Sequence, residues 1–545
     1  MPERHGGQIL VDQLKIQGID RVFCIPGESY LAALDGLYQS GIDTIVCRNE
    51  GGAAMAAEAD GKISGKPGVA FVTRGPGATN ASGGVHVALQ DSTPMILFVG
   101  QVASDQKDRE AFQEVDYRAM FGPLAKWVAE IDRTDRIPEY VSRAFHVAQS
   151  GRPGPVVLSL PEDMLSARVD VADARPVRIS PQFASDGQIA AIHEALGAAE
   201  RPMVILGGPG WSAEAADNIG SLAEKLNLPV GVSFRCQSYM DNVHPNYVGD
   251  VGIGINPALA ERVRTADLLL VLGARLGEMT TSGYSLVNLP VPKQTLIHVF
   301  PGADELGRVY APDLGIVADP GVVVGQLLES VPNDVPDRPE TVAARAEYEA
   351  WQEPHPSVGD VRMENVVGHL RDVLPEDAFV ANGAGNYAGW LHRYFRHRRY
   401  RTQVSPTSGT MGYGLPAALA AKLRHPDRDV ICMAGDGCFQ MNMQEFGTAC
   451  QYGANMVVIV SNNGVYGTIR MHQNRDYPGR PSGTDMVNPD FAALARSYGA
   501  HGESVEQDAD FPGALERARS AGRPALIDLK TSPNAVSTMK NIEAD

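Results

Sequence analysis

The sequence predicts an α/β protein made of three doubly wound parallel-sheet domains, and three observations support this fold class. Apolar runs recur along all 545 residues and end in Gly, Pro, Asn or a charge, as strands buried on both faces do. Stretches with apolar residues at three-to-four spacing lie between these runs and predict helices. Two segments rich in Pro, Asp and Arg, 164–186 and 331–360, lack such runs and predict linkers or crossing segments. The predicted domains are therefore 1–165, 187–330 and 360–545.

The apolar runs are the predicted strands, and the stretches between them are the predicted helices. In chain order the runs are RVFCIPG, DTIVCRNE, VAFVTRGPG, PMILFVG, GPVVLSLP, PMVILGG, LLLVLGA, LIHVFPG, AFVANGAG, DVICMAGDG and MVVIVSNNG. The clearest helical stretches are GGQILVDQLKIQG, NPALAERVRTA and QMNMQEFGTACQYG. In open parallel sheets, ligands bind beyond the carboxyl ends of the strands, so the turns that follow the runs mark the candidate site.

The amino-acid composition limits the classes of partner and the cellular location that we expect. With 47 Lys and Arg against 65 Asp and Glu, the formal net charge is −18. An acidic surface repels phosphate backbones and anionic lipid, so we expect neither a nucleic-acid nor a membrane partner. The six scattered cysteines predict reduced thiols rather than a disulfide framework. The first residues lack an apolar signal region and no apolar stretch is long enough to span a bilayer, so we expect a cytoplasmic protein.

The strongest motif lies in the third predicted domain. The turn Gly435–Asp436–Gly437 follows the run VICMA, and Asn463 follows the run MVVIV, 27 positions after Asp436. That separation accommodates one helix and a return strand, so both polar ends are expected to meet at the same sheet edge. The Asp436 carboxylate, the Asn463 amide oxygen and the backbone carbonyl of Val465 form an oxygen set that suits Mg²⁺ together with phosphate oxygens.

Gly-Asp-Gly followed at this distance by Asn-Asn resembles the thiamin-diphosphate and magnesium motif of the pyruvate oxidase, acetolactate synthase and decarboxylase group. The resemblance covers nearly the whole chain and is closest to acetolactate synthase large subunits. It implies a pyrimidine-binding first domain with Glu50, a central Rossmann-like domain and a diphosphate-binding third domain. It also implies thiamin diphosphate and Mg²⁺ as cofactors. Because the family builds its site from two subunits, it implies at least a homodimer, and tetramers are common.

The same resemblance assigns individual residues. Arg48–Asn49–Glu50 ends a strand and is similar to the family's catalytic glutamate segment, which places Glu50 against N1′ of the cofactor aminopyrimidine. Read without the other motifs, Glu50 would be an acid favoured by the dipole at a helix start. The residues assigned to the cofactor are Pro26, Gly27, Glu50, Thr73, Pro76, Asn80, Gly385, Asn386, Tyr387, Gly409, Met411, Gly435, Asp436, Gly437, Cys438, Asn463, Val465, Tyr466, Gly467 and Thr468. Asp436, Asn463 and Val465 are those assigned to the metal.

The segment AFQE, residues 111–114, closely resembles an acetolactate synthase motif whose Phe and Gln face the reacting centre. It implies catalytic roles for Phe112 and Gln113, and a carboligase that decarboxylates pyruvate or another 2-oxo acid and condenses the remainder with a second carbonyl. The alternatives are a non-oxidative decarboxylase, an acyloin lyase of the benzaldehyde type, a flavin-dependent oxidase, and an inactive paralogue serving as a binding or regulatory subunit. The expected substrates are 2-oxo acids or aldehydes.

This sequence departs from the family pattern at three places that affect the expected substrate and cofactor contacts. His472 stands where branched-chain acetolactate synthases carry a Trp, which indicates a different or more polar acceptor. Arg470 and His472 are therefore candidate substrate contacts in a locally basic segment. Phe300 ends the strand LIHV where flavin-binding relatives have an Asp able to hold ribose hydroxyls, so the pattern disfavours FAD without settling the question. Asn386–Tyr387 replaces the Gln-His that the family often has.

Overall fold

The computed structural model describes residues 3–542, which contain three six-stranded sheets. Every neighbouring pair of strands in these sheets runs parallel. Helices cover the sheets, as parallel strands buried on both faces require. The predicted fold class is therefore confirmed, and each of the apolar runs forms a strand.

The first sheet has the strand order β3-β2-β4-β5-β7-β6, and β1 and β8 form a separate two-stranded ribbon. The strands are β1 (Arg4–His5), β2 (Arg21–Cys24), β3 (Asp43–Val46), β4 (Gly68–Val72), β5 (Met95–Gln101), β6 (Trp127–Glu130), β7 (Pro155–Pro161) and β8 (Arg168–Val169). The helices are α1 (Gly6–Ile16), α2 (Leu31–Leu37), α3 (Glu50–Ser64), α4 (Pro76–Asp91), α5 (Tyr117–Phe121), α6 (Ile137–Gln149) and α7 (Glu162–Ser166).

The second sheet has the order β11-β10-β9-β12-β13-β14. Its strands are β9 (Pro202–Leu206), β10 (Val230–Ser233), β11 (Tyr247–Val251), β12 (Leu268–Leu272), β13 (Thr295–Phe300) and β14 (Leu314–Val317). The helices of this part of the chain are α8 (Asp186–Ala198), α9 (Ala213–Leu226), α10 (Pro257–Thr265), α11 (Pro320–Glu329) and α12 (Pro339–Trp351).

The third sheet has the order β16-β15-β17-β18-β20-β19. Its strands are β15 (Phe379–Asn382), β16 (Gln403–Val404), β17 (Val430–Gly435), β18 (Val457–Asn462), β19 (His501–Val505) and β20 (Ala525–Lys530). The helices are α13 (Met363–Val373), α14 (Tyr387–Tyr394), α15 (Gly414–Arg424), α16 (Asp436–Gln440), α17 (Glu445–Gln451), α18 (Gly467–Asp476), α19 (Phe491–Ser497) and α20 (Phe511–Ser520). Single turns of 3₁₀ helix occur at Glu28–Tyr30, Ser104–Gln106, Thr134–Arg136, Gln237–Tyr239 and Asp508–Asp510.

The first and third sheets are joined by a common core in which helix α3 packs on helix α15. Both helices present alanines that are fully buried, among them Ala53 and Ala57 on α3 and Ala417 and Ala421 on α15. Small side chains let two helix backbones approach closely, so α3 lies firmly between the two units. The helix that begins at Glu50 is therefore held by packing along its whole length.

The segment 331–360, which we predicted to be a linker or a crossing segment, contains helix α12. Arg338, just before this helix, donates to the Leu226 carbonyl (2.7 Å). Tyr348 packs edge-on against Tyr247, with ring centroids 5.2 Å apart. Thr341, Ala344 and Tyr348 recur at three-to-four spacing and are buried, which gives the helix an apolar stripe despite its charged composition.

The stretch QMNMQEFGTACQYG, residues 440–453, forms one helix as predicted, but that helix, α17, begins only at Glu445. The chain leaves helix α16 at Gln440 and re-enters a helix at Glu445. Between them Asn442 donates from Nδ2 to the Gly412 carbonyl (3.0 Å). This bond fixes the connection between the two helices against the turn that contains Gly412.

Within residues 3–542, none of the helices has the length and apolar character needed to cross a lipid bilayer.

Candidate active site

Glu50 is the first residue of helix α3, at the carboxyl end of strand β3. Asn49 caps the helix by accepting a hydrogen bond from the Gly51 amide (2.8 Å). The half-buried Glu50 carboxylate accepts from Asn80 Nδ2 through Oε2 (3.0 Å). A carboxylate at this position is stabilised by the free N–H groups of the first helical turn. Two of the residues predicted for the cofactor, Glu50 and Asn80, are thus in direct contact.

Glu445, which the sequence analysis did not identify, supports this helix start from the third unit. Its Oε1 accepts from the backbone amides of Arg48 (3.0 Å) and Asn49 (2.9 Å), and its Oε2 accepts from Thr448 Oγ1 (2.7 Å). Burial raises the pKa of the Glu445 carboxyl, and these hydrogen bonds act in the opposite direction. Glu445 therefore fixes the backbone from which Glu50 projects. Its backbone partners Arg48 and Asn49 lie almost 400 positions away in the sequence, so no local pattern predicts these contacts.

The turn 73–80 lies beside the Pro26–Gly27 turn at the neighbouring strand end. Ser29 and Thr73 share a hydrogen bond between their hydroxyls (2.8 Å). A Cβ on Gly27 would lie 2.5 Å from Thr73 Cβ, so the two turns touch. Pro76 opens helix α4, where a missing N–H has no cost. The structure thus places the Pro26–Gly27 turn against Thr73, while Asn80 of the helix that Pro76 opens contacts Glu50.

Asp436 starts helix α16 directly after strand β17 and is 3% exposed. Its Oδ1 accepts from the Gly437 amide (2.8 Å), and its Oδ2 accepts from the Gly464 amide (2.8 Å) and from Asn488 Nδ2 (2.7 Å). Burial raises the pKa of this carboxyl, and the hydrogen bonds lower it. Strand β17 pairs with β18 so that Gly435 faces Ser461, which brings the Asp436 and Asn463 ends to one sheet edge.

The residues at this edge fit a hard divalent cation bound together with phosphate. The nearby oxygens come from one carboxylate, the Asn463 amide and the Val465 backbone, a donor type that Mg²⁺ prefers. Asn463 Oδ1 accepts from the Val465 amide (3.1 Å), so the two residues share one tight turn. Within residues 3–542, no three His, Cys, Asp or Glu side chains cluster as a metal site of their own. Asp436, Asn463 and the Val465 carbonyl would hold Mg²⁺ with the diphosphate completing its coordination.

Asn488 is a second residue that the sequence analysis missed. Its Nδ2 donates both to Asp436 Oδ2 and to Asn462 Oδ1 (2.8 Å), and its Oδ1 accepts from Gln440 Nε2 (2.9 Å). Asn462 in turn donates to Asp528 (2.9 Å). These bonds orient the Asp436 carboxylate. Groups that orient a metal ligand typically affect metal affinity strongly.

The other residues of the third unit that were predicted to contact the cofactor are Gly385, Asn386, Tyr387, Gly409, Met411, Cys438, Tyr466, Gly467 and Thr468. The Tyr387 hydroxyl donates to Cys438 Sγ (3.3 Å), and the Gly412 amide lies 3.2 Å from the same sulfur. Thr468 Oγ1 donates to Asn386 Oδ1 (2.8 Å). A Cβ on Gly437 would lie 2.8 Å from the Tyr466 ring, so only glycine fits there. Of the remaining predicted residues, Gly385 precedes Asn386, Gly467 starts helix α18, and Gly409 and the half-buried Met411 lead into Gly412.

Arg470 and His472 lie on helix α18, just beyond the Asn463 turn. Arg470 donates from Nε to Thr484 Oγ1 (2.8 Å) and from its terminal nitrogen to Asp485 Oδ1 (2.6 Å). Because its guanidinium is occupied in this way, Arg470 holds the two ends of the segment 467–487 together. His472 is exposed on the same helix.

Phe112 and Gln113 follow strand β5. The Phe112 side chain is 72% exposed, and Gln113 has a left-handed backbone (φ 65°). These residues lie beside the 73–80 turn, because a Cβ on Gly75 would lie 2.7 Å from Gln113 Cβ. The loop therefore belongs to the same region as the Glu50 group.

A separate cleft of about 700 Å³ lies between the three units, and the Gly-rich turn 207–210 contributes to its lining. At its Gly-rich turn the Gly207 carbonyl accepts from Trp211 Nε1 (2.9 Å), and the Gly208 carbonyl accepts from the Tyr239 hydroxyl (2.7 Å). Phe300, fully buried at the end of β13, lies against Gly208. A phenyl ring offers no oxygen acceptor for ribose hydroxyls, so this strand end lacks the Asp that flavin-binding relatives carry there.

Comparison with known proteins agrees with this geometry. Three family models match: Thiamine pyrophosphate enzyme, N-terminal TPP binding domain (residues 4–120), central domain (189–327) and C-terminal TPP binding domain (383–529). The chain therefore belongs to the thiamine pyrophosphate enzyme family, and it is a thiamin-diphosphate-dependent enzyme.

The similarity to curated relatives extends along nearly the whole chain. The Acetolactate synthase large subunit of Parasynechococcus marenigrum (strain WH8102) is 32% identical, over 96% of this chain and 87% of the relative. The Acetolactate synthase of Arthrospira platensis is 32% identical, over 97% and 94%. The Acetolactate synthase isozyme 2 large subunit of Escherichia coli (strain K12) is 30% identical, over 96% and 95%. The chain is thus acetolactate synthase-like, as its motifs predicted.

Proposed function

We propose that this chain is a thiamin-diphosphate- and Mg²⁺-dependent carboligase of the acetolactate synthase type. It would decarboxylate pyruvate or another 2-oxo acid and join the remaining carbon unit to a second carbonyl compound. The observation that carries the proposal is the buried Asp436 carboxylate beside the Asn463 turn, at the edge where two parallel strands end. The similarity to acetolactate synthases over nearly the full length supports this branch of the family over the decarboxylases.

When bound, thiamin diphosphate supplies a carbon nucleophile and an electron sink for loss of CO₂. The chain's own residues have three tasks toward it. Asp436, Asn463 and the Val465 carbonyl hold Mg²⁺ and through it the diphosphate. Glu50 holds a proton at N1′ of the aminopyrimidine, and Asn80 keeps the Glu50 carboxylate in one orientation. Phe112 and Gln113 line the space in which the second carbonyl compound is positioned.

The site is proposed to form between two copies of the chain. Within residues 3–542, the side-chain hydrogen bond of Glu50 goes to Asn80 in the same unit, and none joins Glu50 to the Asp436 group. In the third unit, the group that holds the start of α3 is Glu445 and not Asp436. The family architecture brings Glu50 of one subunit to the diphosphate group of the other, so we propose a homodimer at minimum and a tetramer as the larger assembly.

Mixed dimers test this arrangement directly. Glu50→Gln and Asp436→Ala are each expected to be inactive as pure proteins. When the two variants are co-expressed, a mixed dimer has one site with Glu50 from one chain and Asp436 from the other. Activity should therefore return in the co-purified mixture. A mixture as inactive as its parents would place both residues in the same chain's site and contradict the proposal.

The reaction itself is tested by product analysis. The purified protein is incubated with thiamin diphosphate, Mg²⁺ and a panel of 2-oxo acids and aldehydes, and products are identified by mass. Carbon–carbon bond formation is expected, whereas aldehyde as the only product would favour a decarboxylase. Glu50→Gln should keep cofactor binding and greatly slow hydrogen exchange at the thiazolium C2. Exchange at the wild-type rate would refute the role of Glu50.

The acceptor is proposed to be sensed by the exposed His472 on helix α18. Arg470 is predicted to act at the same place, although its guanidinium is engaged with Thr484 and Asp485. Kinetics with several acceptors distinguish the two residues. We expect His472→Ala to change the preference among acceptors and Arg470→Ala to impair all acceptors alike. Unchanged preference in both variants would remove these residues from the site.

A further inference from the structure

Arg74 is a buried arginine at the carboxyl edge of the first sheet whose guanidinium joins three separate segments. It is 8% exposed. Its Nε donates to the Phe112 carbonyl (3.0 Å), one terminal nitrogen donates to Glu162 at the start of helix α7, and the other lies 3.4 Å from Glu28. The planar guanidinium can serve several acceptors in fixed directions, which a lysine ammonium on its flexible stem cannot reproduce.

The contact with Phe112 matters because the following residue is held in an unfavourable conformation. Gln113 has φ 65°, a region that residues with a side chain rarely occupy. Such a conformation persists only where the surroundings enforce it. Neighbouring contacts do so here: Gly75, at φ 59°, lies so close to Gln113 that a Cβ on Gly75 would be 2.7 Å from Gln113 Cβ.

The rest of the loop is held by independent bonds. Glu114 accepts from the backbone amides of Asp108 (2.7 Å) and Ala111 (3.0 Å), and these bonds lower the pKa of its carboxyl. Gln101 Nε2 donates to the Val115 carbonyl (2.9 Å), and the Tyr117 hydroxyl accepts from the Gly75 amide (2.9 Å). Arg74 is the member of this set that reaches the Phe112–Gln113 peptide itself.

We propose that Arg74 is a positioning residue for the second substrate: it holds the loop 108–116 so that Phe112 and Gln113 keep one orientation toward the incoming carbonyl compound. This inference rests on the proposed carboligase function. Arg74 itself touches no substrate, because its guanidinium is buried and committed to Phe112, Glu28 and Glu162. Positioning contributes strongly to rate, since a displacement of about 1 Å can cost about 10²-fold.

Decarboxylation of the donor and its joining to the acceptor are two steps at one site, and they depend on different residues. Loss of CO₂ from the donor requires Glu50 and the cofactor, neither of which Arg74 contacts. Joining to the acceptor requires the loop. After decarboxylation the carbon unit either takes a proton and leaves as an aldehyde, or forms a bond to the acceptor carbonyl carbon. A loosened loop should therefore raise the acceptor KM and the aldehyde fraction, and leave C2 exchange and donor consumption nearly unchanged.

The test compares Arg74→Lys, which keeps the charge beside Glu162, with Glu114→Ala, which releases the loop from its other side. Arg118→Ala is the matched control, because Arg118 is an exposed arginine on adjacent helix α5. We expect both test variants to raise the acceptor KM at least about tenfold and to increase aldehyde release, with C2 exchange within about twofold of wild type. The control should match wild type in every measurement.

Hydrogen–deuterium exchange provides a readout that does not depend on turnover. Amides of residues 111–116 should lose protection in Arg74→Lys and keep it in Arg118→Ala. Unchanged product partition in folded Arg74→Lys and Glu114→Ala, or unchanged protection of the loop, would overturn the proposal. If wild-type protein itself forms no carbon–carbon bond with the substrate panel, the proposed function has failed, and that outcome is distinct from a failure seen only in the Arg74 comparison.

Discussion

Replacing Glu445 perturbs the start of helix α3 without changing Glu50. Glu445 is fully buried and accepts two backbone N–H groups, from Arg48 (3.0 Å) and Asn49 (2.9 Å). Hydrogen bonds to a charged group contribute about 1.5–3 kcal/mol each. Glu445→Ala removes the acceptor of both bonds and leaves the two backbone N–H groups without it, so we expect a loss of about 3–6 kcal/mol.

Glu445→Gln is the finer perturbation. A glutamine oxygen placed where Oε1 now lies still accepts both backbone amides, and its NH₂ group can donate to the Thr448 hydroxyl. Only the charge assistance is lost, about 1 kcal/mol for each of the two bonds and about 2 kcal/mol together. Glu445→Ala should therefore lose clearly more folding stability than Glu445→Gln.

Thermal unfolding and C2 exchange measure these effects together. A unit of 150–250 residues loses about 2–4 °C in midpoint per kcal/mol, so Glu445→Ala should melt at least about 6 °C below wild type. C2 exchange should slow more in Glu445→Ala than in Glu445→Gln, because Glu50 loses its fixed backbone. The matched control is Glu364→Ala, another buried acid of the third unit, which accepts from Ser357 (2.7 Å) and Trp390 (3.1 Å).

Glu364→Ala should lower stability and leave C2 exchange unchanged. A melting temperature of Glu445→Ala within about 1 °C of wild type would refute the proposed role of Glu445, and so would a Glu445→Gln variant as destabilised as Glu445→Ala. The role is also refuted if Glu364→Ala slows C2 exchange as much as Glu445→Ala does, because slow exchange would then reflect general destabilisation.

Three further predictions concern the metal edge and pH. Asp436→Ala should lose Mg²⁺-dependent binding of thiamin diphosphate, followed by tryptophan fluorescence; unchanged affinity would argue against the metal assignment. Asn488→Ala should weaken Mg²⁺-dependent cofactor binding about 10–100-fold, with recovery at high Mg²⁺, because the Asp436 carboxylate loses its orienting donor; a defect that high Mg²⁺ does not correct would indicate misfolding instead. Burial lowers the pKa of His397 from 6.5 to about 3, so between these pH values this residue is protonated in the unfolded chain and neutral in the native chain. Stability should therefore fall as pH drops below about 6.5, by about 1.4 kcal/mol per pH unit from this residue, and continue to fall toward pH 3. Melting of wild type and His397→Asn between pH 7 and 4.5 checks this, and parallel slopes in the two proteins would contradict it.

The fold class could be predicted from the sequence because the patterns that indicate it extend over only a few residues. Parallel strands buried on both faces need continuous apolar runs, and every predicted run lies in a strand, whereas other strands such as β10, β11 and β20 had no predicted run. The segment 331–360 shows the limit of such evidence. Its proline-rich ends and charged composition predicted a linker, whereas the buried stripe of Thr341, Ala344 and Tyr348 becomes meaningful only once a neighbouring surface, here Tyr247, is known.

The metal edge was predictable for a related reason. Asp436 and Asn463 each follow a strand, and parallel topology alone brings the carboxyl ends of neighbouring strands together. Glu445, Asn488 and Arg74 were not found, because the contacts that give them their roles, to Arg48, Asp436 and Phe112, span 38 to almost 400 positions.

The sequence by itself determined the three parallel sheets, the membership of the thiamin-diphosphate family and the strand ends that carry Glu50, Asp436 and Asn463. Tertiary structure alone decided how those groups are held. It placed Glu445 under the start of helix α3, Asn488 against Asp436, and the Arg74 guanidinium on the Phe112 carbonyl. The physical reason is that apolar periodicity and turn residues act over a few positions, whereas a buried charge is satisfied by whichever backbone group the packed units bring to it.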